Sequence, residues 1–261
     1  MAEPAGPSAD RFFPGLFGVL HVLEPCLPRI VLVGGWVPYL IDRAAPGTTA
    51  PGQLFTRDID LAVPRDLQAD ARQIDALLLA SGLAFEFRSL HDPPVVAFVG
   101  LIGGADVEVE FLTDEPGGQE RVVKIGGRLH AQTLHYTRIL LDNTTIVTVV
   151  GPAGDPLTVR IPTPAAFVFN KGLTFAQRKT REKKAKDLYY IFEMLEYSGS
   201  PVAGLGEEVA RLGNRYPTWY RRFKKYLSGV FARFDDEGVR LVLSQRPEGA
   251  YLGMSDNQFA Q

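Results

Sequence analysis

Two stretches of the chain carry residue types that could do chemistry on a phosphate. In the first, the apolar run Ile30–Val33 ends in Gly34–Gly35 and passes into a second apolar segment, Trp36–Ile41. A short β-branched run stopped by glycine reads as a buried strand. A strand that turns on glycines into a helix offers free backbone N–H groups at the positive end of the helix dipole, which suits a phosphate. In the second stretch, TRDIDLAV, Asp58 and Asp60 alternate with Ile59, Leu61 and Val63. Side chains alternate faces along a strand, so both carboxylates emerge on one side while the apolar residues face a core. Two hard oxygen ligands that close together suit Mg²⁺, which is usually held by one or two carboxylates plus substrate phosphates. A phosphate cradle followed by a carboxylate pair is the apparatus of metal-assisted phosphoryl transfer.

A third carboxylate is available from Ala105–Leu112, where Asp106, Glu108 and Glu110 alternate with Val107, Val109 and Phe111. On a strand these three acids share one face. Any of them could act as general base on an acceptor hydroxyl and as ligand to a second metal.

In this order, Gly34–Gly35 and then Asp58-Ile59-Asp60 resemble the signature of the nucleotidyltransferase superfamily, the group related to polymerase β. More narrowly, the chain resembles minimal prokaryotic members, including the AbiEii-type proteins of abortive-infection and toxin–antitoxin systems. The resemblance implies a Mg²⁺-dependent enzyme with a two-metal site, moving a nucleoside monophosphate from an NTP onto an acceptor. It implies a mixed α/β (α+β) sheet core followed by a C-terminal helical domain. In the family the third carboxylate lies on a later strand beside the Asp-x-Asp strand, often ahead of a short apolar pair. That favours Glu110, which precedes Phe111–Leu112, with Glu108 second. Two departures stand out: many members carry Gly-Ser where this chain has Gly34–Gly35, and the loop from Gly35 to Asp58 is longer than is common.

A second part of the resemblance lies downstream. A helical lysine, a basic run and a Lys-Asp pair, as in AbiEii-like members, correspond here to Lys171, QRKTREKK and Lys186–Asp187. A lysine on such a helix can neutralise the β- and γ-phosphates of an NTP as a point charge. Asp187 would then orient Lys171 or Arg178 rather than bind metal. Arg178, Lys179, Arg181, Lys183 and Lys184 read as a solvated face. The acceptor is open between RNA, a protein side chain and a small molecule; toxin-like members lend weight to RNA, and a toxin would need an antitoxin partner.

The remaining elements must position these groups. Asp10–Glu24, Leu67–Leu79 and the chain from Pro164 to Leu195 read as helices, the last with a turn near Lys179–Thr180. Thr163 is a good N-cap, and Pro164 suits the first helical position. Ala84–Leu90, Val95–Leu101 and Ala105–Leu112 read as strands, and Val122–Ile161 as short strands extending or flanking the sheet. Helical segments follow over Val202–Gln245. Composition shifts at Pro162, which divides a core over residues 1–161 from a helical domain over 162–261. Arg57 reads as a structural salt bridge, His130 and His135 as structural. The loop Ala44–Leu54, rich in Gly, Pro and Thr, could fold over the base or the acceptor. Residues 1–9 read as frayed and the tail after Pro247 as loose.

Composition bounds the rest. The 261 residues, 46% hydrophobic and 22% charged, are those of an ordinary globular protein. No apolar run approaches the ~18 residues a membrane span needs, and no signal peptide is apparent, so the cytoplasm is the expected location. The single cysteine, Cys26, excludes an intramolecular disulfide and a CxxC metal site. The net charge of −2 conceals an asymmetry: 11 basic against 18 acidic residues up to position 150, and 17 against 12 beyond it. In Tyr216–Lys225, aromatics are interleaved with Arg221, Arg222, Lys224 and Lys225, a pattern shared by nucleic-acid surfaces and by ordinary amphipathic helices with buried Trp219 and Phe223. A protein that keeps the fold and only binds NTP or nucleic acid is the competing reading. A dinucleotide-binding oxidoreductase is disfavoured, since no GxGxxG follows Ile30–Val33.

Overall fold

The computed structural model describes residues 13–44, 54, 56–88, 96–115, 117, 121–152 and 154–247. The expectations for residues 1–9, for most of the loop Ala44–Leu54 and for the tail after Pro247 fall outside them. The chain divides into two compact units, one from Pro7–Leu40 and Phe55–Pro162, the other built on Ile41–Leu54 and Thr163–Gln261. In the second of these, the Leu54 N–H donates to Glu193 Oε1 at 3.1 Å.

In the first unit, α1 (Phe13–Val22) leads through a 3₁₀ segment (Glu24–Arg29) to β1 (Val31–Val33). A 3₁₀ turn, Gly34–Trp36, opens α2 (Val37–Ala44), so the helix starts one residue later than the apolar run predicts. Then come β2 (Asp58–Ala62), α3 (Gln68–Ala80), β3 (Ala84–Phe87), β4 (Val96–Ile102) and β5 (Ala105–Asp114). They are followed by β6 (Val122–Gly126), β7 (Leu129–Leu134), α4 (Thr137–Asp142), β8 (Thr144–Val150) and β9 (Pro156–Pro162). Among the described residues the main sheet runs β1-β2-β5-β4-β3, with β7 parallel on the far end of β5 and β6 antiparallel on β7. The sheet is mixed: β2 and β5 are parallel, whereas β1–β2, β4–β5 and β3–β4 are antiparallel. Strands β8 and β9 form a separate antiparallel pair rather than an extension of the sheet. Helix α4, where the sequence reads as strand and loop, buries Ile139 and Leu140 and holds Leu140 against Val31, Val33 and Ala62.

The β4–β5 hairpin turns on Gly103–Gly104, both at positive φ (59° and 77°), the backbone a tight hairpin demands. That turn sets β5 antiparallel to β4 and leaves its other edge for β2. Helix α1 approaches this sheet through glycines, since a Cβ on Gly18 would stand 2.2 Å from Ile102 Cγ2 and one on Gly15 2.6 Å from Val107 Cγ1.

The second unit contains α5 (Pro164–Thr174), α6 (Arg181–Tyr197), α7 (Val202–Arg215), α8 (Pro217–Ser228) and α9 (Glu237–Leu243). Thr163 caps α5 by accepting from the Ala166 N–H at 3.2 Å, with Pro164 at the first position; Thr180 caps α6 from Lys183 in the same way at 3.3 Å. Between these helices a 3₁₀ turn, Phe175–Gln177, leads into the non-helical Arg178–Thr180, the break that the sequence places near Lys179–Thr180. The core gathers Phe167, Phe169, Leu188 and Tyr189, and Phe223 of α8 meets Phe169 edge-on at 5.2 Å. Among the described residues no helix is long and apolar enough to cross a membrane.

Candidate functional site

Strand register brings the predicted acids together. Asp58 lies opposite Glu108 and Asp60 opposite Glu110 on the parallel pair β2–β5, while Val33 at the end of β1 lies opposite Asp60. Neighbouring strands stand ~4.8 Å apart, so four carboxylates share one face of two central strands. The other face carries Ile59, Leu61, Val109 and Phe111, all buried. Asp106, the third acid of the alternation, is exposed and pairs with Leu101 beyond the end of β2, which removes it from the cluster.

The glycine pair closes this face. Gly34 has φ +73°, and a Cβ there would lie 2.0 Å from Asp60 Oδ2 and 2.9 Å from its Cγ. The position therefore needs glycine twice over, for its left-handed backbone and for the space that the Asp60 carboxylate fills. Gly35 is buried in the same turn, and the Val37 N–H donates back to the Gly34 carbonyl. Trp36 fixes the turn to the acidic strand by donating from Nε1 to the Asp58 carbonyl at 3.1 Å. Its ring, 1% exposed, packs against Phe13 and edge-on to Tyr39. Sequence reasoning missed this role; a tryptophan directly after the glycine pair was the available signal.

Electrostatics separates the two glutamates. Arg88, beyond the end of β3, donates to Glu108 Oε1 and reaches Glu86 Oε2 at 3.4 Å. The hydrogen bond to Glu108 is the main cause holding the Arg88 guanidinium above its ordinary pKa. Glu110 sits against acids. Burial first, then Asp60, Asp58 and Glu108, push its carboxyl up to about 9. A buried carboxylate beside like charges must bind a proton or a cation. Arg88, too, lay outside the sequence reading, since nothing local links it to a glutamate twenty residues on.

The same observation tests the fit of Mg²⁺. Among the described residues no group of three or more His, Cys, Asp or Glu side chains could hold a metal ion. Mg²⁺ carried on a nucleotide needs less, one or two carboxylates with phosphate oxygens completing the shell. Asp58 and Asp60 with Glu110 alongside meet that demand, and their mutual repulsion favours a cation between them.

Lys171 and Asp187 lie in the other unit and form a site of their own. Lys171, 8% exposed, donates from Nζ to Asp187 Oδ1 at 2.8 Å, with its ammonium over the rings of Tyr190 (5.1 Å) and Phe167 (5.5 Å). Arg178 grips the same carboxylate through Nε to Oδ2 (2.6 Å) and Nη2 to Oδ1 (3.3 Å), and Thr174 Oγ1 donates to Oδ2 at 3.3 Å. Burial alone would raise the Asp187 pKa, but Lys171 and then Arg178 outweigh it and hold the carboxyl below the usual range. Arg178 thus leaves the solvated set in which the sequence puts it, while Lys179, Arg181 and Lys183 are exposed. Lys186 stands over the Tyr190 ring at 5.8 Å.

Other expectations resolve more simply. Arg57 is exposed, and no ion pair joins it to another described residue, against the expected salt bridge. His130 Nδ1 bonds the Arg128 carbonyl at 2.8 Å and His135 meets Glu115 at 3.2 Å, so neither belongs to the acidic cluster. Cys26 is buried, and burial pushes its thiol up, away from reactive thiolate.

Comparison with known proteins identifies the family. No curated protein matches the chain. Among solved structures it is similar to an antigenic nucleotidyltransferase-like protein from Paracoccidioides brasiliensis, at 17% identity over 83% of this chain and 94% of that one, with a TM-score of 0.42. A family model described as nucleotidyltransferase matches residues 25–200. That span exceeds half of the chain and takes in Gly34, Gly35, Asp58, Asp60, Glu108, Glu110, Lys171 and Asp187, and the chain belongs to the nucleotidyltransferase family.

Proposed function

We propose that this protein is a Mg²⁺-dependent enzyme that transfers a nucleoside monophosphate from an NTP to an acceptor hydroxyl and releases pyrophosphate. The observation that carries the reading is the β2–β5 register, with Asp60 opposite Glu110 and its carboxylate in the space a Gly34 side chain would occupy. Asp58 and Asp60 would hold the metal together with phosphate oxygens of the nucleotide, with Glu110 alongside on β5. Bound Mg²⁺ would offset the repulsion among these acids, neutralise phosphate charge and make the acceptor hydroxyl more acidic.

Glu110 takes the proton of the acceptor hydroxyl as its oxygen bonds to the α-phosphorus. The bond from that phosphorus to the bridging oxygen breaks, and the electron pair leaves with pyrophosphate. Arg88 keeps Glu108 engaged, which favours Glu110 as the third carboxylate. Backbone N–H groups of the Gly34–Gly35 turn cradle the phosphates, with Trp36 holding the turn in register. The buried Lys171–Asp187 pair lies in the other unit and takes no part in this reading. RNA, a protein side chain and a small molecule all offer the required hydroxyl. A toxin role of the AbiEii type, with an antitoxin partner, would follow if RNA is the acceptor.

The test is incubation with each NTP radiolabelled at the α-phosphate, Mg²⁺ and total RNA, beside an Asp58→Asn/Asp60→Asn variant. Label moving to RNA or to the protein with wild type alone supports the proposal and names the nucleotide and acceptor class. Neither transfer nor Mg²⁺-dependent NTP binding would overturn it.

A further inference from the structure

From Val209 to Phe234 the chain carries seven basic residues and no acid, in a protein whose net charge is −2. The run occupies the end of α7 and all of α8 in the helical unit. Helix α8 buries a single residue, Phe223, and Arg211, Arg215, Arg221, Arg222, Lys224 and Lys225 are all exposed. The two helices pack closely, since a Cβ on Gly213 would stand 2.5 Å from the Tyr220 ring, so their bases belong to one local surface. Arg221 with Lys225 and Arg222 with Lys225 are like charges at helical-neighbour spacing, each pair destabilising by a few tenths of a kcal/mol.

Aromatic rings stand among the bases. Trp219 stacks on Tyr216 with centroids 4.9 Å apart and planes 9° from parallel, and both are partly exposed. Arg215 lies over Tyr216 at 5.5 Å, and Lys224 over Tyr220 at 4.9 Å. Flat rings flanked by cations are the platform on which unpaired bases stack while phosphates are neutralised.

We infer that the exposed face of α8 with the end of α7 is a binding surface for single-stranded nucleic acid, with RNA as the probe. The inference does not depend on the proposed transfer reaction: the surface binds RNA without NTP or Mg²⁺. The test is fluorescence anisotropy of a short labelled single-stranded RNA in EDTA, titrated with the full chain across a salt series. About five phosphate contacts give a log–log salt slope of about −3.5, a weakening of about a hundredfold between 50 and 200 mM salt. Arg221→Ala/Arg222→Ala should reduce the slope by about 1.4, and Lys224→Ala/Lys225→Ala should do the same. Arg221→Lys/Arg222→Lys should restore it. Trp219→Ala should weaken binding about tenfold at every salt concentration while leaving the slope unchanged. All the replaced bases are exposed, so an unchanged thermal unfolding curve confirms an intact fold. Absence of binding at 50 mM salt, a slope unmoved in both alanine pairs, or equal binding to phosphatidylserine vesicles would overturn the inference.

Discussion

Replacing Gly34 with alanine would put a methyl group where the Asp60 carboxylate now lies. Two costs follow, and the structure lets them be separated. The first is backbone: φ is +73°, a conformation that costs an L-residue about 1–2 kcal/mol whatever surrounds it. The second is contact: the new Cβ would stand 2.0 Å from Asp60 Oδ2 and 2.9 Å from Cγ, while Asp60 Cβ lies at 3.1 Å. Overpacking of that kind costs about 1–3 kcal/mol. Gly34→Ala should therefore destabilise the protein by about 2–5 kcal/mol. In an Asp60→Ala background the two close atoms are gone, and the cost should fall to about 1–2 kcal/mol. The measurement is a double-mutant cycle by urea unfolding, followed by tryptophan fluorescence and circular dichroism, without divalent cations. A coupling of about 1–3 kcal/mol is expected. Equal costs of Gly34→Ala in the two backgrounds would refute the claim that the glycine exists to seat this carboxylate.

The raised Glu110 gives a pH signature with a definite sign. Its carboxyl is pushed from the ordinary 4.5 to about 9 in the folded protein, so the native state holds a proton that the unfolded chain releases. Stability without metal is then fullest below about pH 4.5 and declines by up to about 1.4 kcal/mol per pH unit towards about pH 9. Glu110→Gln should flatten that decline in urea midpoints measured across the window; an unchanged slope would mean the proton sits elsewhere. Arg88→Ala leaves Glu108, 8% exposed, without its guanidinium and should cost about 1–3 kcal/mol. It should also lower α-labelled nucleotide transfer by loosening the division between the two glutamates, whereas wild-type transfer would show that Arg88 serves stability alone. Lys171→Met strips a buried carboxylate of one partner while Arg178 keeps hold of it, and should cost about 1.5–3 kcal/mol by thermal or urea unfolding. Because the Asp187 pKa is depressed, its contribution is present above the ordinary 3.8 and disappears as pH falls through the lowered value. A loss under 1 kcal/mol at neutral pH would argue against a tightly held pair.

The groups that were legible from sequence are those whose placement depends on local periodicity. Asp58 and Asp60 share a face because a strand alternates every residue, and the apolar residues between them say which face is buried. Gly34–Gly35 marks a turn because few other residues tolerate that backbone. Thr163–Pro164 marks a helix start through a cap whose hydrogen bond spans three residues. Helix α4 was missed because its six residues are too few for a periodic signal, and burial against β1 and β2 outweighs their strand-like composition. Leu54 stands close to Asp58 in sequence, whereas the carboxylate that its N–H meets, Glu193, lies far along the chain and no local pattern announces it.

By itself, the sequence determined that a carboxylate pair follows a glycine turn, that a face of three further acids exists, and that a lysine and an aspartate sit on helices. Only the tertiary structure set the three acids apart in space. Parallel register sets Glu110 opposite Asp60 and carries Asp106 past the end of β2, and Arg88 takes hold of Glu108. The sequence offered Lys171 or Arg178 as the partner of Asp187; only folding gave it both at once and added Thr174. The physical reason is common to both: alternation and capping act within a few residues, while strand register and buried charge pairing are set by segments that meet only once the chain has packed.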